Sequence, residues 1–204
     1  MKYYLLIFSS LIIIGKTSAQ NQWQFSIASG VISPEFLINS PLGYQVEGRI
    51  FYLLSDSVQL SISSGFNSWK EELGPDGNKF ESIPLLAGIK YSFQMGFLSP
   101  YLAGELGVHF ITRDYTYQIY EPSENYDGLY KLVSSEPETE STTKFAYRLS
   151  IGSIISAYEN IDLDLSIRYN NISYDFIYNF YPTNQRRTGK LFFYNIALGF
   201  IYKL

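Results

Sequence analysis

Few residues in this sequence could perform chemistry. It contains one histidine, His109, and no cysteine. Glu105 precedes that histidine by four residues, and in an extended strand such a spacing separates the two side chains by roughly 13 Å. Neither a nucleophile elbow nor a set of residues spaced like metal ligands accompanies them. The sequence therefore predicts no catalytic residues, no metal and no cofactor, and we interpret the chain as not being an enzyme.

The charged residues are more informative, because they alternate with apolar residues in extended segments. Together with the histidine they form a predicted inward-facing set: Glu47, Arg49, Lys90, Glu105, His109, Lys144, Arg148, Asp162, Asp164, Arg168 and Lys203. An unpaired buried charge is costly, so we expect opposite charges on neighbouring strands to pair. Arg148 with Asp162 or Asp164 is the predicted pair. We interpret the set as a structural network, and a conducting path is the alternative.

Period-two alternation of apolar and polar residues defines the elements that position these charges. Eight segments show it, and their apolar faces carry no Asp, Glu, Lys or Arg. The predicted strands cover residues 23–31, 44–53, 58–67, 82–93, 101–110, 144–155, 161–170 and 192–202.

The predicted connections alternate strictly between long and short. Residues 54–57, 94–98 and 157–160 form short turns, whereas the long connections cover residues 32–43, 68–81, 111–143 and 171–191. An up-and-down barrel in an outer membrane has short periplasmic turns and longer external loops. The alternation therefore predicts an all-β protein, an eight-stranded antiparallel up-and-down transmembrane β-barrel.

The composition of the two faces distinguishes a membrane barrel from a soluble, lipocalin-like one. The polar face is rich in Gly, Ala and Ser, which suit a crowded interior better than a solvated surface. The other face is bulky and ends repeatedly in aromatic residues, as the girdles of a membrane barrel do. Pro84 interrupts the fourth strand, and we expect a β-bulge near the external rim to accommodate it, because a closed barrel has no edge strand.

The N-terminus has the pattern of a signal peptide. Lys2 precedes an apolar run of about ten residues, shorter than the about 20 that a membrane helix needs, and small residues end at Ala19. We predict cleavage after Ala19, with one barrel domain over residues 20–204. Beyond residue 19 the chain has 13 basic and 19 acidic residues. This excess of acid argues against nucleic acid as a partner.

Two consecutive predicted strands resemble a known family. The sequence IPLLAGIKY at residues 83–91 is followed after a turn by PYLAGELG at residues 100–107. This pair is similar to the motifs of the porin-like outer membrane protein β-barrel domain family, which shares its architecture with small OmpA/OmpX-type barrels. The resemblance implies the fold and a location in the bacterial outer membrane. Functions vary within the family, so it implies no activity.

These observations favour a monomeric outer-membrane protein with a side-chain-filled lumen and a structural or surface-interaction role. The predicted partners are outer-membrane lipid and an extracellular ligand or protein at the long loops. Residues 111–143 hold seven acidic and two basic residues, so this connection is the most strongly charged candidate surface. A narrow porin-like channel and a lipid-acting outer-membrane enzyme are the two alternatives.

Overall fold

A computed structural model of the chain describes residues 22–33, 42–71, 78–122, 130–180 and 185–204. The signal-peptide prediction lies outside these residues. The eight strands are β1 (Trp23–Ser33), β2 (Gly43–Leu53), β3 (Val58–Glu71), β4 (Asn78–Ser92), β5 (Leu98–Pro122), β6 (Tyr130–Tyr158), β7 (Ile161–Phe180) and β8 (Gln185–Lys203). Each strand pairs antiparallel with the next, and β8 pairs with β1 to close the barrel. Within the described residues, no helix is long and apolar enough to cross a membrane.

The predicted fold class is confirmed, and each predicted strand falls in a strand of the barrel, with only Phe93 lying beyond the end of β4. Three of the long connections are different from the prediction, because the strands continue into them. β5 and β6 extend to Pro122 and from Tyr130, so most of residues 111–143 forms a two-stranded hairpin. β7 and β8 form a second, shorter hairpin, and β3 and β4 extend their pairing to Glu71 and Asn78.

The strands alternate between a buried and an exposed face, as the period-two pattern predicts. On β6, the side chain of Ile151 is 57% exposed, whereas that of Arg148 is fully buried. Apart from the hairpins, the exposed side chains of the strands are almost all apolar, and most of the charged side chains point into the lumen. An apolar exterior around a polar interior is the reverse of a soluble barrel and typical of a membrane barrel.

Pro84 is accommodated without the expected bulge. Ser64 pairs with Leu85 and Asn67 pairs with Ser82, so the register between β3 and β4 is the same on both sides of the proline. The ladder is only interrupted, because the positions between these two pairs are not joined. On the other side, Pro84 lies opposite His109 in an unbroken ladder with β5. Since proline lacks one N–H, it removes hydrogen bonds towards one neighbour only, and the strand tolerates this loss without an extra residue.

Candidate functional site

The middle of the lumen contains a cluster of five charged side chains, which we call the central ion cluster: Glu47, Arg49, Glu105, Arg148 and Arg168. Glu47 on β2 accepts from all three guanidinium groups. Arg148 Nη1 lies 2.6 Å from Glu47 Oε2 and 3.2 Å from Glu105 Oε2, and Arg168 Nη1 lies 3.1 Å from Glu47 Oε1. Arg49 Nε donates to the same carboxylate. Every member is almost completely buried, so the cluster links strands on opposite sides of the barrel in a site that is shielded from water.

The predicted pairing of Arg148 with Asp162 or Asp164 is wrong. In the β6–β7 ladder Arg148 lies opposite Asn170, several residues from either aspartate, and its Nε donates to Asn170 Oδ1 at 2.7 Å. The strands of a barrel are tilted and staggered, so alternation in sequence does not indicate which inward residues share a level.

The two aspartates have other partners nearer the end of the barrel that carries the short turns. Asp162 forms an ion pair with Lys203 at 2.8 Å, and Asp164 accepts a hydrogen bond from Tyr101 Oη at 2.7 Å. Lys90 is also buried here, with its ammonium group 4.0 Å from the centre of the Phe51 ring and no hydrogen-bond partner among the residues that the structure describes. A cation over an aromatic face is stabilised by the quadrupole of the ring.

The end of the lumen towards the two hairpins is filled by apolar side chains, which we call the outer aromatic cluster: Ile32, Trp69, Phe80, Leu86, Ile111, Ala146, Ile172, Tyr174, Leu191 and Phe193. The Trp69 ring lies 5.4 Å from that of Phe80 and 5.0 Å from that of Phe193. All ten side chains are buried. The cluster therefore covers the central ion cluster on the side of the two hairpins.

His109 takes part in a hydrogen-bond chain that the sequence analysis missed. Asn67 Nδ2 donates to Ser82 Oγ at 3.1 Å, and Ser82 Oγ lies 3.2 Å from His109 Nδ1. A serine next to a histidine is the core of many nucleophilic sites. Here both side chains are buried, and His109 packs against Phe193 of the outer aromatic cluster. Among the described residues, the Ser82 side chain is closed off from solvent, which disfavours access of a substrate.

Only the pairing of β4 with β5 could have predicted the hydrogen bond between Ser82 and His109. Ser82 lies two residues from Pro84, the register partner of His109, so the two side chains are diagonal neighbours on adjacent strands. In the described part of the chain, no group of three or more His, Asp or Glu residues is placed to hold a metal ion. Lys144 lies at the rim towards the two hairpins, with its ammonium group 5.7 Å from the Tyr174 ring.

Above the barrel, the first hairpin has an acidic face ordered by tyrosines. Tyr115 Oη donates to Glu138 Oε2 at 2.5 Å, and Tyr174 Oη donates to Glu140 Oε2 at 3.0 Å. The hydrogen bond to Glu138 raises the pKa of Tyr115, so this phenol stays protonated and donates a hydrogen bond at neutral pH.

The two hairpins separate at the rim of the barrel. The β6–β7 ladder ends at Ala146 opposite Ile172, whereas β5 and β6 remain paired as far as Pro122 and Tyr130. The β7–β8 register shifts between Ile172 and Asp175, and such an irregularity bends a strand and increases its twist. The second hairpin therefore diverges from β6, and above the rim one edge of β6 is open in the sense that no strand of the described residues pairs with it.

No protein-family model and no curated protein matches the sequence. Solved structures do match. Neisserial surface protein A shares 16% identity with a TM-score of 0.58, covering 92% of this chain and 100% of that one. A major outer membrane protein from Thermus thermophilus shares 11% identity with a TM-score of 0.54, covering 89% and 99%. Ail, the attachment invasion locus protein of Yersinia pestis, solved with the heparin analogue sucrose octasulfate, shares 14% identity with a TM-score of 0.51, covering 91% and 100%. At these identities the likeness establishes the fold, that of small eight-stranded outer-membrane barrels.

Proposed function

From this outer-membrane barrel fold, we propose that the chain is an integral outer-membrane protein that presents its two external hairpins to partners outside the cell. In this proposal the barrel anchors the protein in the membrane, and the hairpins bind the partners. In keeping with the sequence analysis, the protein is a monomer without a cofactor and without enzymatic activity.

The observation that carries the proposal is the filling of the lumen by two stacked layers. The central ion cluster occupies the middle, and the outer aromatic cluster lies above it. An eight-stranded barrel has an interior just wide enough for side chains. Ions would have to displace buried, mutually paired side chains to pass, which favours an anchor over a narrow channel.

The charge of the first hairpin indicates which partners suit it. Residues 111–143 carry seven acids against two bases, and Glu136, Glu138 and Glu140 are exposed. The Ail structure contains a polyanion, the heparin analogue sucrose octasulfate. An acidic hairpin would repel such a ligand, so we infer that this chain binds a cationic partner instead.

Two measurements test the proposal together. Purified protein in a planar bilayer should give no steady conductance. The double variant Trp69→Ala with Phe193→Ala opens the outer aromatic cluster only, and it should also give none, because the central ion cluster still fills the middle of the lumen. An epitope inserted between residues 122 and 130 should bind antibody on intact cells. Steady conductance of the unmodified protein, or an epitope reached only after lysis, would overturn the proposal.

Export is part of the same proposal, and its signature is the mature N-terminus. Cleavage after Ala19 leaves Gln20 as the first residue. The intact mass of protein extracted from the outer membrane should therefore correspond to residues 20–204. A mass that includes Lys2 would contradict the predicted processing.

A further inference from the structure

The open edge of β6 above the barrel rim is a surface that the anchoring role does not use. In the described residues, no ladder pair joins β6 to β7 beyond Ala146 and Ile172, although β6 continues for many residues in the first hairpin. An unpaired strand edge presents a row of N–H and C=O groups that can template another strand. The edge is therefore competent to bind an extended segment.

The alternation of the backbone identifies which amides face the open side. Ser156 N donates to Phe97 O on the β5 side, and the β5–β6 register is unbroken from there to Ser134. Even-numbered residues of β6 therefore direct their amides to β5, and odd-numbered residues such as Thr139 and Ser141 direct theirs to the open edge.

Pro137 also occupies an odd-numbered position, opposite Thr116. Its missing N–H thus falls on the open side and removes nothing from the β5–β6 ladder. Proline on a strand edge blocks pairing at that point. Pro137 therefore sets the upper limit of the part that can accept a full ladder. Tyr174 of β7, whose ring lies 5.7 Å from the Lys144 ammonium group, sets the lower limit. Residues 138–143 remain, a length of roughly 20 Å at 3.4 Å per residue.

The side chains next to this edge are acidic at regular spacing. Glu136, Glu138 and Glu140 alternate along β6 on one face of the hairpin, about 7 Å apart, and all are exposed. Tyr115 and Tyr174 each donate to one of these carboxylates and fix its position. A strand docked on the edge would place every second side chain beside this row.

We propose that the open edge of β6 binds an extended segment of another protein by strand addition, and that this segment carries Lys or Arg at alternate positions. Backbone hydrogen bonds hold the segment, and the glutamate row selects its charge pattern. A second copy of this chain does not fit, because pairing two β6 edges would bring glutamates together. This inference rests on the proposed function, since it requires the first hairpin to lie outside the cell.

Fluorescence anisotropy with labelled peptides and the full-length protein in nanodiscs tests the binding mode. The probe is a peptide of about nine residues that alternates Lys and Thr, long enough to cover the edge. A peptide with the same composition but its lysines in one block is the first comparison. Two further peptides keep the alternation and carry N-methyl groups on one or the other set of alternate amides.

Strand addition predicts that the alternating peptide binds more tightly than the block peptide. It also predicts that only one of the two methylated peptides loses binding, because a strand has one edge towards β6 and one towards solvent. Equal binding of all four peptides would mean that charge attraction alone is at work, and no binding of the alternating peptide would exclude the site. Either result overturns the proposal.

Variants of Ser141 and of the three glutamates test whether the peptide binds at the open edge of β6. Ser141→Pro removes an amide from the open side and keeps the β5–β6 ladder, so affinity should fall roughly three- to tenfold. Ser141→Ala keeps the amide and should bind like the unmodified protein. Changing Glu136, Glu138 and Glu140 to Gln should weaken binding and reduce its salt dependence. Unchanged affinity in Ser141→Pro, with the hairpin folded and reached by antibody on cells, would sink the docking site while leaving the proposed function intact.

Discussion

The wall of the barrel and the two hairpins are built from the same strands, yet their side chains follow different rules. On β6, Ile151 and Arg148 separate cleanly into an exposed apolar residue and a buried charge. Further along the same strand, Glu138 and Ser141 are both exposed, and neither face is apolar. The backbone ladder continues through both regions. What changes between them is the solvent.

This contrast shows that the ladder and the side-chain pattern have separate causes. Backbone hydrogen bonds hold the hairpin wherever two strands can pair, in lipid or in water. Segregation of apolar and polar residues is required only where one face meets lipid and the other faces the lumen. The cost of misplacing a charge should therefore depend on which region it enters.

The largest expected effect comes from breaking the central ion cluster. Glu47→Gln removes the carboxylate that accepts from three guanidinium groups. One partner lost from a buried ion network leaves uncompensated charge, so we expect a loss of about 3–5 kcal/mol in the free energy of unfolding. Urea titration in lipid vesicles, followed by tryptophan fluorescence, measures it.

The control is the double variant Glu47→Gln with Arg168→Gln. It removes charge of both signs, so it should be less destabilised than the sum of the two single variants. Strictly additive effects would show that the cluster is not coupled, and the distances in it would then carry no energetic meaning.

The second effect tests the exterior of the wall. Ile151→Arg places a charge on the lipid-facing side of β6, near the middle of the apolar band, where we expect a cost of about 2–4 kcal/mol. Ile151→Leu retains the apolar surface and should be close to neutral. A tolerated arginine in folded, vesicle-inserted protein would contradict the assignment of this face to lipid.

The sequence predicted the wall well, because the physical rule that acts there is visible in one strand at a time. A period of two with charges on one face specifies which side of each strand is buried. Beyond the rim the two faces of a strand no longer need to differ in polarity. The sequence therefore predicted a loop over residues 111–143, although β5 and β6 continue into them. Strand pairing in water left no apolar alternation to detect.

Contacts between strands were harder to predict, because they depend on register and stagger. Arg148 faces Asn170 and reaches Glu47 across the lumen, neither of which follows from the spacing of charges along the chain. Ser82 and His109 meet diagonally on neighbouring strands for the same reason. The sequence shows the alternating glutamates, but it does not show that the edge of β6 beside them is unpaired.

A smaller effect is expected for the ion pair at the end of the barrel that carries the short turns. Lys203 pairs with Asp162, and its side chain is 27% exposed. Solvent at the lysine reduces both the gain from the pair and the cost of losing it, but the Asp162 side chain is only 6% exposed, so Lys203→Gln should cost about 1–2 kcal/mol. The same urea titration measures this change. A loss as large as that of Glu47→Gln would show that burial does not explain the difference between the two ion pairs.

The smallest effect is expected for a charge placed above the rim. Ser141→Arg lies on the same strand and the same face as Ile151→Arg, ten residues nearer the hairpin tip. There the arginine stays in water, and exposed substitutions away from special contacts usually change stability by no more than about 0.5 kcal/mol. Within the described part of the chain, Thr112 is the one side chain within hydrogen-bond distance of Ser141, at 3.5 Å, and that weak contact adds little. The two variants share the introduced arginine, the strand and the face. The difference between their free energies of unfolding therefore reports mainly on the solvent that surrounds each position. If Ser141→Arg were as destabilising as Ile151→Arg, the apolar band would have to extend over the hairpin, and the boundary between wall and hairpin drawn from side-chain exposure would be wrong.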